Sequence, residues 1–546
     1  MDSQPSTHDD FRDDFHVYDT TLRDGAQQEG LNLSVADKLA IARQLDELGV
    51  GFIEGGWPGS NPKDTEFFAR ARDELDLRHA RLTAFGATRR AGVRAADDPL
   101  VGALRDSGAS VVTLVAKSHP RHVELALRTT LAENLAMVRD SVAHLVAEGQ
   151  QVFLDAEHFF DGYRADRDYA LEVLRTAYDA GADVVALCDT NGGMLPDWVT
   201  DVVRDVVATT SGRVGIHCHN DTGCAVANTL AAVEAGATHV QGTINGYGER
   251  TGNADLVSVV ANLQLKLDRS VLPEGMLGEA TRIAHAVAEV TNVPPAARQP
   301  YVGASAFAHK AGLHASAIKV DPDLYQHMDP VGVGNDMRLL VSDMAGRASI
   351  ELKGRELGYD LSGDSADQRA VVDRVTTRVK EMEARGYTFE AADASFELLL
   401  AEEADGRRPS YVTVESWRVI TETLTHSRAG DEAVSEATVK LVAAGVRYVE
   451  TGEGNGPVNA LDQALRQALV QAFPAVAKFE LIDYKVRILD QGHGTDAITR
   501  VLIETSDGEV SWVTVGVGHN VIEASWEALL DGITFGLRRL DRAASR

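Results

Sequence analysis

Cysteine is scarce: Cys188, Cys218 and Cys224 are the only three in 546 residues. So few thiols exclude a disulfide-built secreted scaffold and point to a reducing compartment, the cytoplasm. No apolar run approaches the roughly eighteen residues that a membrane span needs. The opening stretch "MDSQPSTHDDFRDD" is polar and acidic, with no apolar core for a signal peptide. Positive charge is short too, with 53 Lys and Arg against 82 Asp and Glu and a formal net charge of -29. Nucleic-acid binding needs a basic footprint, so neither a nucleic acid nor a membrane is an expected partner. The acidic surplus serves solubility.

What is present is a regular beat. Short apolar runs, "FHVYDTTL", "GVGFIEGG", "RLTAFGAT", "SVVTLVAK", "QVFLDAEHFF", "DVVALCDT", "RVGIHCHND" and "THVQGTING", alternate with amphipathic stretches such as "SVADKLAIARQLDELG". Several of those stretches end in Gly before the next apolar run, the expected helix stop. Eight such units match a (β/α)₈ barrel, which takes roughly 250 residues. A doubly wound sheet would have fewer strands and a GxGxxG turn after the first, where this chain has "RDGAQQEG". The expected fold class is α/β: a disordered tail over 1–14, a TIM barrel over 15–270, helical linker subdomains over 271–392, and an α+β domain over 393–546. That last part holds an internal repeat. "GEGNGPVNALDQAL" from Gly452 matches "GVGHNVIEASWEAL" from Gly516, pairing Gly452 with Gly516, Gly454 with Gly518, Ala460 with Ala524 and Leu465 with Leu529.

Active sites of such barrels lie at the C-terminal strand ends. Those ends carry Arg23 and Asp24, Glu54, Glu157 and His158, Asp189 and Thr190, His217 and His219, and Asn245 ahead of "GYGERTGNAD". Acids, imidazoles and amides suit a divalent cation. In "HCHND", residues i and i+2 of a strand share a face roughly 6.6 Å apart, so His217 and His219 point one way and Cys218 the other. A lone histidine there reads better as a core residue; two of them, opposite Asp24, read better as metal ligands that leave positions open for substrate and water. Taken alone, "TLRDG" is equally an Asp-Gly turn. Arg23 tips that balance, because its guanidinium can hold a carboxylate or a developing oxyanion. Asn253 can add an amide oxygen or simply cap a loop, and Glu157 can support the site or be a surface acid.

"YDTTLRDGAQQEG", "HCHNDTGCAVAN" and "NGYGERTGNADL" resemble the signature stretches of the 2-isopropylmalate, homocitrate and citramalate synthases, metal-dependent Claisen-condensing barrel enzymes. "GNGPVNALDQALR" resembles their C-terminal amino-acid-binding regulatory domain. "DAEHFFDGY" and "FAHKAGLHASAI" are most similar to the citramalate synthase branch. The resemblance implies a divalent cation (Mn, Zn, Mg or Co) held by Asp24, His217, His219 and Asn253. It implies that Arg23 contacts the 2-oxo acid and its growing alkoxide, and that Glu157 and Thr190 line the substrate site. It implies that His314 and Tyr325, with His309 a competitor, assist proton transfer from acetyl-CoA and reach into a neighbouring subunit's barrel. The implied reaction joins acetyl-CoA to pyruvate, giving (R)-citramalate and CoA on a route to isoleucine, with isoleucine the expected effector and a homodimer the expected assembly. Synthesis of 2-isopropylmalate from 3-methyl-2-oxobutanoate, or of homocitrate, is the alternative, to be decided by a pocket lined by Phe85, Leu114 and Val115. An acyl-CoA lyase is opposed by the repeat domain, and a sensor without catalysis is opposed by the intact ligand set.

Overall fold

The structure, a computed structural model, describes residues 14–361, 363, 365–422, 434–489 and 497–544. The expected disordered tail therefore lies outside the described residues, Asp14 excepted. All eight apolar runs are strands: β1 (His16–Asp19), β2 (Phe52–Gly56), β3 (Arg81–Ala87), β4 (Val111–Lys117), β5 (Gln151–Glu157), β6 (Val184–Asp189), β7 (Arg213–Cys218) and β8 (His239–Gly242). They form a closed parallel barrel, sealed where β1 pairs with β8 and Asp19 stands opposite Gly242.

The helices form for local reasons. That over Val35–Leu48 begins at Ser34, whose side chain and that of Asp37 cap each other's backbone N–H, and ends at Gly49 in the left-handed region. Its Leu39, Ile41, Ala42, Leu45 and Leu48 are buried in the layer between barrel and helices.

Strand alternation sorts the barrel interior into levels. Tyr18, Phe52, Val111, Phe153 and Val184 form a buried apolar floor. One residue pair further along the strands, the inward side chains become polar: Glu54, Thr113, Asp155, His217 and Gln241, all buried.

The chain divides into two compact units, one running to Phe307 with Met328–Asp336, the other Ala308–His327 with the chain from Met337 on. The expected boundaries at 270 and 392 do not coincide with this division. Helix Ala280–Thr291 packs on helix Val35–Leu48 and buries Ile283, Ala284 and Val287 in the barrel's core, so it belongs to the first unit. Val372, Val375 and Val379 share a core with Phe396, Leu399, Leu400 and Val515, which ties the second half of the expected linker to the C-terminal unit.

That unit contains two three-stranded antiparallel sheets, one of strands Val412–Glu422, Val434–Ala443 and Val446–Gly454, the other of Glu480–Ile488, Thr499–Ser506 and Ser511–Gly518. Helix Pro457–Ala472 follows the first and a helix over Val521–Ala544 follows the second, so the sequence repeat is a structural one. Gly452 and Gly516 occupy equivalent places for one reason. A Cβ on Gly452 would stand 2.5 Å from the Ala464 nitrogen, and one on Gly516 would stand 2.0 Å from the Ala524 oxygen. Each glycine lets its helix lie directly on its strand. Among the described residues no helix is long and apolar enough to cross a membrane.

Candidate metal centre

Asp24 sits just beyond β1 rather than on it. The chain turns sharply there, because the Thr20 carbonyl accepts the N–H groups of Arg23, Asp24 and Gly25. His217 lies on β7, and His219 is one step past its end, in an isolated bridge with Asn253. The Asp24 Oδ2 atom is 3.2 Å from His217 Nε2 and 3.7 Å from His219 Nε2. Ligand atoms of the three residues all lie within 4.8 Å of one another, and all three side chains are buried. Two ligands each about 2.1 Å from one ion, at right angles, are about 3 Å apart, so the spacing suits a single cation.

The surroundings support that fit. Asn253 donates from Nδ2 to the Tyr247 carbonyl at 3.0 Å, while its Oδ1 is buried without a hydrogen-bond partner. An oxygen acceptor left over in a buried place, on the residue bridged to His219, is what a cation would satisfy. The loop that delivers it depends on Gly252, at φ +88, where a Cβ would stand 1.9 Å from the Gly246 oxygen. Burial works against the Asp24 charge, yet Arg23, His217 and His219 outweigh it and hold the carboxyl well below its ordinary range. Burial likewise disfavours a charged His217, but Asp24 carries its value upward. His219, with less help, is pushed down to about 4 by burial and by His217.

Arg23 is clamped on two sides. Its Nε donates to Glu54 Oε2 at 2.5 Å, a guanidinium nitrogen is 3.3 Å from Asp24 Oδ2, and the group lies 3.9 Å above the Phe85 ring. Glu54 is fully buried and also accepts from Tyr18 Oη and Thr20 Oγ1. Arg23, Asp24, His217 and His219 border a cavity of about 140 Å³ that Phe85, Val115, Glu157 and Thr190 also line. Leu114, expected in that lining, is not there. It is fully buried in the layer behind the barrel, because neighbours on a strand face opposite ways. Glu157 pairs with Lys117 across the rim. Thr190 Oγ1 accepts the His158 N–H at 2.8 Å.

Asn220 and Asp221 complete the "HCHND" stretch. Asn220 Oδ1 accepts the Ala225 N–H at the next helix, and Asp221 pairs with Arg250. Arg250 also donates to the Thr190 carbonyl and reaches 3.1 Å from His219 Nδ1. Sequence reading assigned no role to Arg250, Asp155 or Gln241, and each touches the site or a ligand. His314 and Tyr325 belong to the second unit, where their rings are 4.1 Å apart, with the His309 ring 6.1 Å from that of His314.

Comparison with known proteins agrees in extent. Residues 14–287 match the HMGL-like family, 301–386 the homocitrate synthase post-HMGL domain-like family, and 390–537 the LeuA allosteric (dimerisation) domain. The chain is 68% identical to an (R)-citramalate synthase of Streptomyces coelicolor, over 96% of this chain and 97% of that one. It is 48% identical to an (R)-citramalate synthase of Synechocystis, over 96% of each. Identity to a 2-isopropylmalate synthase of Pyrococcus furiosus is 31%, over 95% of this chain and 98% of that one.

Proposed function

The chain belongs to the (R)-citramalate synthases of the HMGL-like family, and from that premise we propose how its residues carry the reaction. The protein is a transferase that joins the acetyl group of acetyl-CoA to pyruvate, yielding (R)-citramalate and CoA. The observation that carries the reading is the buried Asp24–His217–His219 triangle at the mouth of the barrel. Asp24, His217 and His219, with the Asn253 oxygen, hold a divalent cation, which when bound supplies a Lewis acid for the keto group of the 2-oxo acid. Carboxylate, imidazole and amide donors together accept Mn, Zn, Mg or Co.

Arg23 is placed to neutralise the negative charge that develops as the new carbon–carbon bond forms, and Glu54 and Phe85 fix its direction. Thr190 and Glu157 orient the pyruvate carboxylate and the incoming acetyl group from the rim. His314, with Tyr325 against its ring, serves the proton removed from the acetyl methyl group, contributed to a neighbouring subunit's barrel within a homodimer. A cytoplasmic setting belongs to the same reading.

The C-terminal unit binds an amino-acid effector, isoleucine. A cavity of about 860 Å³ there is bordered by Gly456, Pro457, Val458 and Asn459 at the start of one repeat's helix, and by Leu481 and Tyr484 of the other sheet. The first N–H groups of that helix have no side-chain cap and suit a carboxylate, and the apolar wall suits a branched side chain. The test is CoA thiol release from acetyl-CoA with pyruvate, 3-methyl-2-oxobutanoate or 2-oxoglutarate, with and without isoleucine. Turnover with pyruvate, suppressed by isoleucine, is expected; preference for either other acid would overturn the assignment.

A further inference from the structure

His217 is not held by its metal-facing nitrogen alone. Its Nδ1 is 2.8 Å from Gln241 Oε1. The Gln241 amide nitrogen donates to Asp155 Oδ1 at 2.9 Å and lies 3.2 Å from His239 Nε2. His239 Nδ1 in turn is 3.2 Å from His16 Nδ1. Every member of this chain is buried. Strand pairing builds it: β8 lies between β7 and β1, so Gln241 stands beside His217, and His239 beside His16.

The direction of the chain follows from donor and acceptor capacity. The Asp155 carboxylate oxygen accepts, so the Gln241 nitrogen faces it and the amide oxygen faces His217. His217 must then donate from Nδ1, which leaves Nε2, the nitrogen facing Asp24, as the one that would give its lone pair to a cation. The second amide hydrogen goes to His239 Nε2, so that ring carries its hydrogen on Nδ1 and gives it to His16. Burial and the neighbouring His16 keep His239 well below its ordinary value, hence neutral and able to accept. Room for the His239 ring comes from Gly215, where a Cβ would be 2.8 Å from its Cδ2.

We infer that Gln241 is a positioning residue, which fixes the His217 tautomer for cation binding and is itself oriented by Asp155 and the His239–His16 pair. The usual partner of a metal-bound imidazole is a carboxylate, a backbone carbonyl or a water. A side-chain amide fills that place here, held by His239, which His16 backs in turn. The inference rests on Asp24, His217 and His219 holding a cation.

The experiment measures Co²⁺ affinity of the metal-stripped full-length protein by chelator competition, with no turnover involved. Gln241→Leu removes the acceptor, and its affinity is expected to fall 10- to 100-fold. His239→Phe leaves every His217 contact in place but frees the amide, and a smaller loss in the same direction is expected. Val184→Ala loosens the barrel floor nearby and should stay within twofold of the parent. Parent-like affinity in folded Gln241→Leu overturns the inference, as does an equal loss in Val184→Ala. If Gln241→Leu does not fold, His239→Phe decides: parent-like affinity there overturns it. A parent protein that binds no Co²⁺ would instead remove the metal reading on which the inference rests.

Discussion

The Asp24 carboxylate lies 3.2 Å from the Nε2 atom of His217, although one follows the first strand and the other lies on the seventh. Barrel closure alone brings them together. Replacing either by Ala should abolish cation binding and turnover while leaving the apolar core intact. Metal content by atomic emission, beside far-UV circular dichroism, separates that outcome from unfolding.

Arg23 makes a directed set of contacts that a lysine cannot copy, since an ammonium has no planar fork to share between Glu54 and Asp24. Arg23→Lys is expected to lower kcat by ~10²–10³, the loss typical of one missing oxyanion donor. A kcat within threefold of the parent would show that the guanidinium is structural.

Asp19 gives the stability of the barrel a pH dependence. Burial raises its carboxyl from 3.8 to about 7, against opposing hydrogen bonds from Thr21. The folded state thus favours the protonated form. The contribution is complete below about pH 4 and is lost as pH rises through about 7, with a slope of up to ~1.4 kcal/mol per pH unit. Asp155 and Asp531, each raised to about 6 chiefly by burial, act in the same sense. In urea titrations between pH 5 and 8, Asp19→Asn should gain stability over the parent as pH rises. A constant difference would contradict the shift.

Removing the chain from residue 393 onward is a poor test of feedback control. Phe396, Leu399, Leu400 and Val515 cover Val372, Val375 and Val379, so truncation exposes an apolar core. Such a truncated protein is expected to aggregate, which light scattering would reveal. Val458→Trp, which fills the cavity at the helix start, should instead raise the isoleucine concentration for half-inhibition at least tenfold with kcat unchanged. Unaltered inhibition would place the effector elsewhere.

His314→Ala should slow exchange of the acetyl-CoA methyl protons with D₂O without changing cation affinity. Mass spectrometry of recovered acetyl-CoA reads the first quantity, and chelator competition reads the second. Exchange at the parental rate would free His314 of that role and leave His309 as the candidate.

The strands were legible because each is a short apolar run closed by a turn, and the convergence of His217 and His219 because period-two spacing places them on one face. The same rule excludes Leu114 from the pocket: Val111, Thr113 and Val115 share one face of β4 and Leu114 the other. Gln241 and Arg250 were not legible in that way. A glutamine within "HVQG" carries no signal until β8 is known to lie against β7, and Arg250 matters only through how its loop folds back over Thr190. The division into two compact units was not legible for a related reason. Whether helix Ala280–Thr291 joins the barrel is decided by the partner its apolar face meets, not by a change in composition.

The apolar plug of Tyr18, Phe52, Val111, Phe153 and Val184 makes the barrel a blind well. A ligand can therefore reach the buried Asp24, His217 and His219 from the strand ends only. On the reading proposed above, the hydroxy acid beside Asp24 would leave after CoA, and product-inhibition patterns would show that order.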